Sequence, residues 1–326
     1  MVIVDNEEEL DAILDKYFTC PFRFGHVKVK GVTMPKRYAE MEEEIYNWEV
    51  NDKDIWMCSF PKTGTTWTAE MIWLIENNLD FAKADVNIQI RVPFLEISSI
   101  FDYRELTRTN KEFNPPSFLN DSLAFVKEQP TPRIMKTHLP WKLLPNAIQD
   151  GTKKAKIVYV TRNPKDTCIS YYNHVKLLEG YSGSFEDFCR LFLAGKVSYA
   201  PYWEHIFAFW ERRNLPNVLF LKYEELKKDL PAVIRRVAKF LEKDLTDEQV
   251  IQLTNHLSFE NMRNNPAVNY EMVVNMYKKF NLTEANGTFM RSGQVGDYKV
   301  KMSPELIKKF DEWTEENLKD TDFSFK

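Results

Sequence analysis

The chain has 326 residues, and 44 basic against 48 acidic side chains leave a net charge of −4. It is therefore not a protein that coats nucleic acid through bulk positive charge. Hydrophobic residues at 44% and aromatic residues at 14% exclude a disordered or collagen-like chain and provide for a large core.

The N-terminal stretch Met1 to Asp15 is rich in Asp and Glu and has no apolar centre, so no secretory signal is expected. No apolar run approaches the roughly 18 residues of a membrane span. Cys20, Cys58, Cys168 and Cys189 lack Cys-x-x-Cys spacing, which argues against zinc-ribbon and thioredoxin-type sites. The expectation is a cytoplasmic protein with free thiols and no membrane partner.

Ile55 to Phe60 (IWMCSF) is a compact apolar run that predicts a buried strand. Pro61 to Thr66 follows it, and then a helical pattern with Trp67, Met71, Leu74 and Ile75 on one face. Arg133-Ile134-Met135 leads into Lys136-Thr137-His138. Ile157 to Val160 (IVYV) predicts another buried strand, after which Asn163 can cap a helix with Pro164 first and Asp166 in the acidic turn. Val218 to Leu221 (VLFL) predicts a further strand, with Pro231 opening the next helix. Asn264 to Gly296, like the region around Pro115-Pro116, reads as a long functional loop. Ser303-Pro304 starts the last helix, with Leu306, Ile307, Phe310 and Trp313 inward.

Apolar strands alternating with helices predict an α/β fold with a central, mostly parallel sheet flanked by helices. In such sheets the ligand crevice lies at the carboxyl ends of the strands. PKTGTT, KTH, TRNPKD and KYEEL all fall at predicted strand ends. In Pro61-Lys62-Thr63-Gly64-Thr65-Thr66, Gly64 lets the backbone approach an anion and the helix start offers unpaired N–H groups. Lys62 adds charge and the threonines add hydroxyls. The order differs from Gly-x-x-x-x-Gly-Lys-Ser/Thr, because the lysine precedes the only glycine. That disfavours a kinase of nucleotides or metabolites. The five histidines show neither His-x-x-x-His nor HExxH spacing, so no metal is expected.

FPKTGTTW (Phe60 to Trp67) resembles the 5′-phosphosulfate loop of the cytosolic sulfotransferases. Arg291 to Lys299 (RSGQVGDYK) resembles that family's C-terminal Arg-x-Gly-x-x-Gly-Asp-Trp-Lys signature, and KTHLP (Lys136 to Pro140) and RNPKDTCISYY (Arg162 to Tyr172) lie between them in family order. The resemblance runs from about Gly31 to Trp313. It implies one sulfotransferase domain over 1–326, because the two signatures must meet at one site. Residues 1–30 would be an N-terminal extension packing on or near the substrate site.

The implied donor is 3′-phosphoadenosine 5′-phosphosulfate (PAPS), with the bisphosphate PAP as product. By position, the resemblance assigns Lys62, Thr63, Gly64, Thr65, Thr66 and Trp67 to the 5′-phosphosulfate, with Trp67 near the adenine. Arg162 and Ser170 take the 3′-phosphate, where a guanidinium can grip phosphate through two hydrogen bonds. Tyr223 and the segment Leu257, Ser258, Phe259 to Met262 wall the adenine. Phe289, Met290, Arg291, Ser292 and Gly293 close over the 3′-phosphate. Leu257 stands where the family usually has threonine, Ser292 where lysine is common, and Tyr298 where tryptophan is usual.

The implied reaction is in-line sulfuryl transfer. His138 is the general base on the acceptor hydroxyl, since an ordinary imidazole titrates near pH ~6.5. Lys62 stabilises charge on the departing phosphate and Lys136 charge on the sulfuryl oxygens. Tyr38 and Phe94 match aromatic gate positions of the substrate site, and His174 lines it beside Lys136 and His138. Aromatic walls suit a phenol, steroid, flavonoid or retinoid-like alcohol. The loops Phe18 to Phe24, Phe101 to Phe118 and Val268 to Phe280 would choose among them. The family's dimerisation segment Lys-x-x-x-Thr-Val-x-x-x-Glu is altered here to Ser303, Pro304 and Lys308, so a monomer or weak homodimer is expected.

Overall fold

Residues 7–23, 25–283 and 286–325 are described by the computed structural model. β1 (His26–Val29) and β2 (Val32–Pro35) form an antiparallel hairpin. The central sheet holds β3 (Ile55–Ser59), β4 (Ile134–Thr137), β5 (Lys156–Thr161) and β6 (Val218–Lys222). All its pairs are parallel, in the order β4-β3-β5-β6.

The reason these strands read as unbroken apolar runs is that both faces are covered. Successive side chains point to opposite faces. Trp56 and Cys58 of β3 join Ile157 and Tyr159 of β5 in the core on one face. Ile55 and Met57 join Val158 and Val160 in the core on the other. Helices Thr65–Glu76 and Leu230–Phe240 cover the second face, while Pro164–Leu178 and Tyr202–Trp210 cover the first.

The predicted caps form. The Asn163 side chain accepts from the Lys165 N–H, and that of Ser303 from the Leu306 N–H. The helix expected at Pro231 opens one residue earlier, at Leu230, where Asp229 caps it. Two expected loops contain helices. The segment Asn264 to Gly296 is not simply a long loop, because Glu271–Phe280 is helical within it and buries Val273, Val274 and Tyr277 along one side. The expected loop Phe101 to Phe118 likewise holds the short helix Arg104–Thr109. Phe24, in the N-terminal loop named above, lies outside the described residues. Among the described residues, no helix is long and apolar enough to cross a membrane, and all four cysteines are free thiols.

Candidate active site at the carboxyl ends of the strands

Each central strand delivers a charged or aromatic residue to one place. β3 runs into Phe60 to Gly64, β4 carries Lys136 and leads to His138, β5 leads to Arg162, and β6 leads to Tyr223. Pro61, Lys62, Gly64, Lys136, His138, Arg162 and Tyr223 line a single cavity of about 420 Å³.

The phosphate loop is built around two left-handed residues, Lys62 at φ +69° and Gly64 at φ +110°. Only glycine adopts this region at no cost. A Cβ at residue 64 would also lie 2.8 Å from Tyr223 Cδ2. The 12-residue helix Thr65–Glu76 starts immediately after it, so its free N–H groups face the cavity. The Thr65 hydroxyl meets the Ser59 hydroxyl at 2.7 Å. Thr63 turns the other way. Its hydroxyl lies 2.8 and 2.9 Å from the Phe60 and Val160 carbonyls, which share its one proton, and it pins the loop to β5 rather than lining the cavity.

Lys62, Lys136, Arg162 and Arg291 all line the cavity. Burial, then the neighbouring Lys136 and Arg162, lower the Lys62 amine to about 7. Burial lowers the Lys136 amine to about 8 against the pull of Glu96. Aromatic faces hold these cations: Lys62 Nζ lies 3.6 Å from the Phe289 ring centroid, Lys136 Nζ 4.2 Å from Phe94, and Arg162 Cζ 4.3 Å from Tyr223.

The C-terminal motif folds over this cluster. The buried Asp166 carboxylate accepts from the Gly296 and Tyr298 N–H groups at 2.7 and 3.2 Å. Arg162 Nη2 donates to the Gln294 carbonyl at 2.6 Å. Arg291 and Ser292 both donate to Asp297, at 2.6 and 2.9 Å. Gly293, at φ +60°, lies so close to Phe259 that a Cβ would meet its ring at 2.3 Å. Nearby, Trp67 Nε1 donates to the Leu257 carbonyl at 2.9 Å, and Trp67 packs edge-on against Tyr223.

His138 sits at the centre. Its Nδ1 is 2.7 Å from the Ser59 carbonyl oxygen, which can only accept. Nδ1 therefore carries the proton and Nε2 the lone pair. Burial, then Lys136, hold the imidazole well below its usual range, so it is neutral at neutral pH. Glu96, which sequence reasoning did not single out, anchors the strand end. Its carboxylate accepts from the His138 N–H at 2.7 Å and the Thr137 hydroxyl at 2.8 Å. Burial lifts its carboxyl to about 7 against those hydrogen bonds. His205 Nε2 donates to the His138 carbonyl at 2.9 Å, so its Nδ1 accepts from the Tyr159 hydroxyl at 2.8 Å.

Beyond His138 the lining turns apolar, with Phe94, Ile97, Ile100, Phe101, Leu119, Leu177, Leu178 and Val273. Phe94 runs beside β4, where the Leu95 N–H donates to the Lys136 carbonyl at 2.9 Å, and its ring meets His138 edge-on at 4.9 Å. His174 lines the cavity as expected, together with Glu179 and Tyr199, which were not foreseen. Tyr38 does not line it. The first turn of the helix Tyr38–Tyr46 points its ring into the core, fully buried. The remaining expected residues, Ser170, Leu257, Ser258, Phe259, Met262, Phe289, Met290, Arg291, Ser292 and Gly293, all line the cavity with Lys62, Gly64, Thr65, Thr66 and Trp67.

A parallel sheet with an anion loop, a cation cluster and a positioned imidazole at its strand ends defines a site suited to an anionic ligand beside a proton acceptor. Residues 52–322 match the model of the sulfotransferase domain, and the chain belongs to that family. It is 41% identical to the luciferin sulfotransferase of Photinus pyralis over 322 residues, covering 98% of this chain and 87% of that one. It is 33% identical to sulfotransferase 1E1 of Bos taurus over 302 residues, covering 92% and 95%. Among solved structures, retinol dehydratase in complex with androsterone and the inactive cofactor PAP superposes with a TM-score of 0.87 at 31% identity, covering 98% and 96%. A retinol dehydratase complex with retinol and PAP gives the same TM-score at 32% identity. The chain is thus a PAPS-dependent sulfotransferase.

Proposed function

We propose that the protein transfers the sulfuryl group of PAPS to a hydroxyl of a small hydrophobic acceptor, with His138 as general base. The observation that carries this reading is the 2.7 Å contact between His138 Nδ1 and the Ser59 carbonyl, which leaves Nε2 as a fixed proton acceptor in the cavity.

The residues at the other end suit the donor. Four cations converge there, and the mutual repulsion that helps hold Lys62 near 7 is what a bound anion relieves. Arg162 Nε is buried without a partner. Lys62 and the helix start at Thr65 would hold the 5′-phosphosulfate, and Arg162, Ser170, Arg291 and Gly293 the 3′-phosphate. Trp67, Tyr223, Leu257, Ser258, Phe259 and Met262 would enclose the adenine. When bound, PAPS supplies a sulfuryl group activated by a phosphate leaving group. His138 Nε2 takes the acceptor's proton, Lys62 stabilises the phosphate charge that develops, and Lys136 the sulfuryl oxygens.

The apolar lining selects an uncharged carbon skeleton. Structures of a related protein hold retinol and androsterone, and an apolar phenol, steroid, flavonoid or retinoid-like alcohol fits the same description here. Arg23 of the N-terminal segment binds Glu179 of the cavity wall at 3.1 Å, which supports packing of that segment near the acceptor end. The test is a mass-spectrometric screen for sulfated products with PAPS and a panel of phenols, steroids, flavonoids and retinoids. Sulfation of an apolar hydroxyl compound is expected. No product across the panel, with PAP binding intact, would overturn the reading.

A further inference from the structure

β4 is an edge strand that ends at Thr137, and His138 lies one residue beyond it. On its free side, Lys136 still has backbone partners. Its N–H donates to the Pro93 carbonyl and its carbonyl accepts from the Leu95 N–H, both at 2.9 Å. The main chain of His138 is held by side chains instead. Its N–H donates to Glu96 Oε1 at 2.7 Å, and its carbonyl accepts from His205 Nε2 at 2.9 Å. The Thr137 hydroxyl donates to Glu96 Oε2 at 2.8 Å and accepts from the Leu139 N–H at 3.1 Å. The turn from Thr137 to Leu139 thus closes on one carboxylate.

Both partners are themselves fixed. Glu96 is fully buried and lies two residues past the bridge that joins Phe94 to Lys136. Its Oε1 accepts from the His138 N–H whether or not the carboxyl is ionised. His205, on the helix Tyr202–Trp210, accepts from the Tyr159 hydroxyl of β5 at 2.8 Å and packs against the rings of Phe60 and Phe209. Burial lowers its imidazole to about 4, so its one proton stays on Nε2 for the carbonyl. A side chain leaves the backbone in a direction set by the peptide planes on either side. Glu96 holds one of those planes at His138 and His205 holds the next. The Ser59 carbonyl then sets only the turn of the ring, with Nε2 left free. A loosened clamp lets the ring tilt, and a misplacement of about 1 Å can cost on the order of 10²-fold in rate.

We propose that Glu96 and His205 are positioning residues that act through His138: by clamping the peptide on each side of it they hold Nε2 at the acceptor hydroxyl and so set the rate of proton removal. Neither lines the cavity, so neither meets donor or acceptor. The inference rests on the reading of His138 as the base.

The test compares Glu96→Ala with Glu96→Gln, and His205→Phe with His205→Gln, in the full chain. Three quantities are read: the single-turnover rate with saturating PAPS and an acceptor identified by product formation, the acceptor KM, and PAP affinity by calorimetry. NMR of the histidine ring nitrogens in the PAP-loaded protein reads the His138 tautomer without any acceptor, its signals being those missing from His138→Ala. Glu96→Ala and His205→Phe each lower the rate about 10- to 10²-fold, with KM and PAP affinity within about twofold of the wild type. In both, the Nδ1–H tautomer of His138 gives way to a mixture. The glutamine variants keep one bond each, an amide oxygen toward the His138 N–H or an amide N–H toward its carbonyl, and return the rate to within about threefold. An unchanged rate in Glu96→Ala and His205→Phe, glutamine variants no better than these, or rate losses matched by equal losses of PAP affinity overturn the inference. Where Glu96→Ala does not fold, Glu96→Asp replaces it, one methylene short of the His138 N–H: a lowered rate supports the clamp and a wild-type rate overturns it. An inactive His138→Ala beside wild-type rates in the Glu96 and His205 variants sinks only this inference. Near-normal turnover in His138→Ala sinks the reading of His138 as base.

Discussion

The donor end and the acceptor end of the cavity are built from different material. At the donor end the backbone does much of the work: two left-handed residues turn the loop at Lys62 and Gly64, a helix begins at Thr65, and Asp166 ties down the Gly296 and Tyr298 amides. Side chains there are charged and close together. At the acceptor end the wall is made of apolar side chains from separate helices, with a buried Arg23–Glu179–His174 chain set into it. Binding a fixed, highly charged nucleotide favours a rigid backbone cradle, whereas selecting among apolar skeletons is left to side chains that can vary without disturbing that cradle.

The largest way to break this contrast is Lys62→Ala. If Lys62 stabilises the leaving phosphate, the single-turnover rate falls about 10²–10³-fold. An unchanged rate would reduce Lys62 to packing against Phe289. Gly64→Ala attacks the cradle itself. The left-handed φ and the 2.8 Å approach to Tyr223 Cδ2 predict a cost of about 1–3 kcal/mol, read as weaker PAP binding by calorimetry. Substitution without loss of affinity would show that the loop is not rigid.

A smaller and more graded effect concerns pH. The Lys62 and Lys136 amines lie near 7 and 8 in the protein without donor, and a bound anion raises both. PAP binding therefore takes up protons, and affinity weakens as pH rises above about 7, by at most about tenfold per pH unit for each group. Calorimetry in buffers of different ionisation enthalpy reads the uptake directly. Affinity that is flat from pH 7 to 9 would contradict the mutual repulsion assigned to the cluster.

This contrast also governs what could be read from the amino-acid order. The donor loop, the caps at Asn163 and Ser303 and the four strand ends are local, so residue type and spacing suffice. Tyr38 and Thr63 were harder. Both carry the right chemistry in the right segment, but helix phase turns Tyr38 into the core and the Thr63 hydroxyl directs its one proton to backbone carbonyls instead of a ligand. The helix Glu271–Phe280 hides among Asn264, Asn265, Pro266 and Asn269, and only its buried Val273, Val274 and Tyr277 reveal it. Arg23 and Glu179 are 156 residues apart in the chain, and no local pattern announces such a pair. Glu96 sits unremarked in an apolar stretch until β4 brings Thr137 and His138 against it.

The central claim is that the two ends meet at His138. The direct measurement is the single-turnover rate of His138→Ala with saturating PAPS and acceptor, beside its PAP affinity by calorimetry. The account predicts a rate lowered about 10²–10⁴-fold with PAP affinity close to that of the wild type. A near-normal rate, or a loss of PAP binding that explains the whole defect, would contradict it.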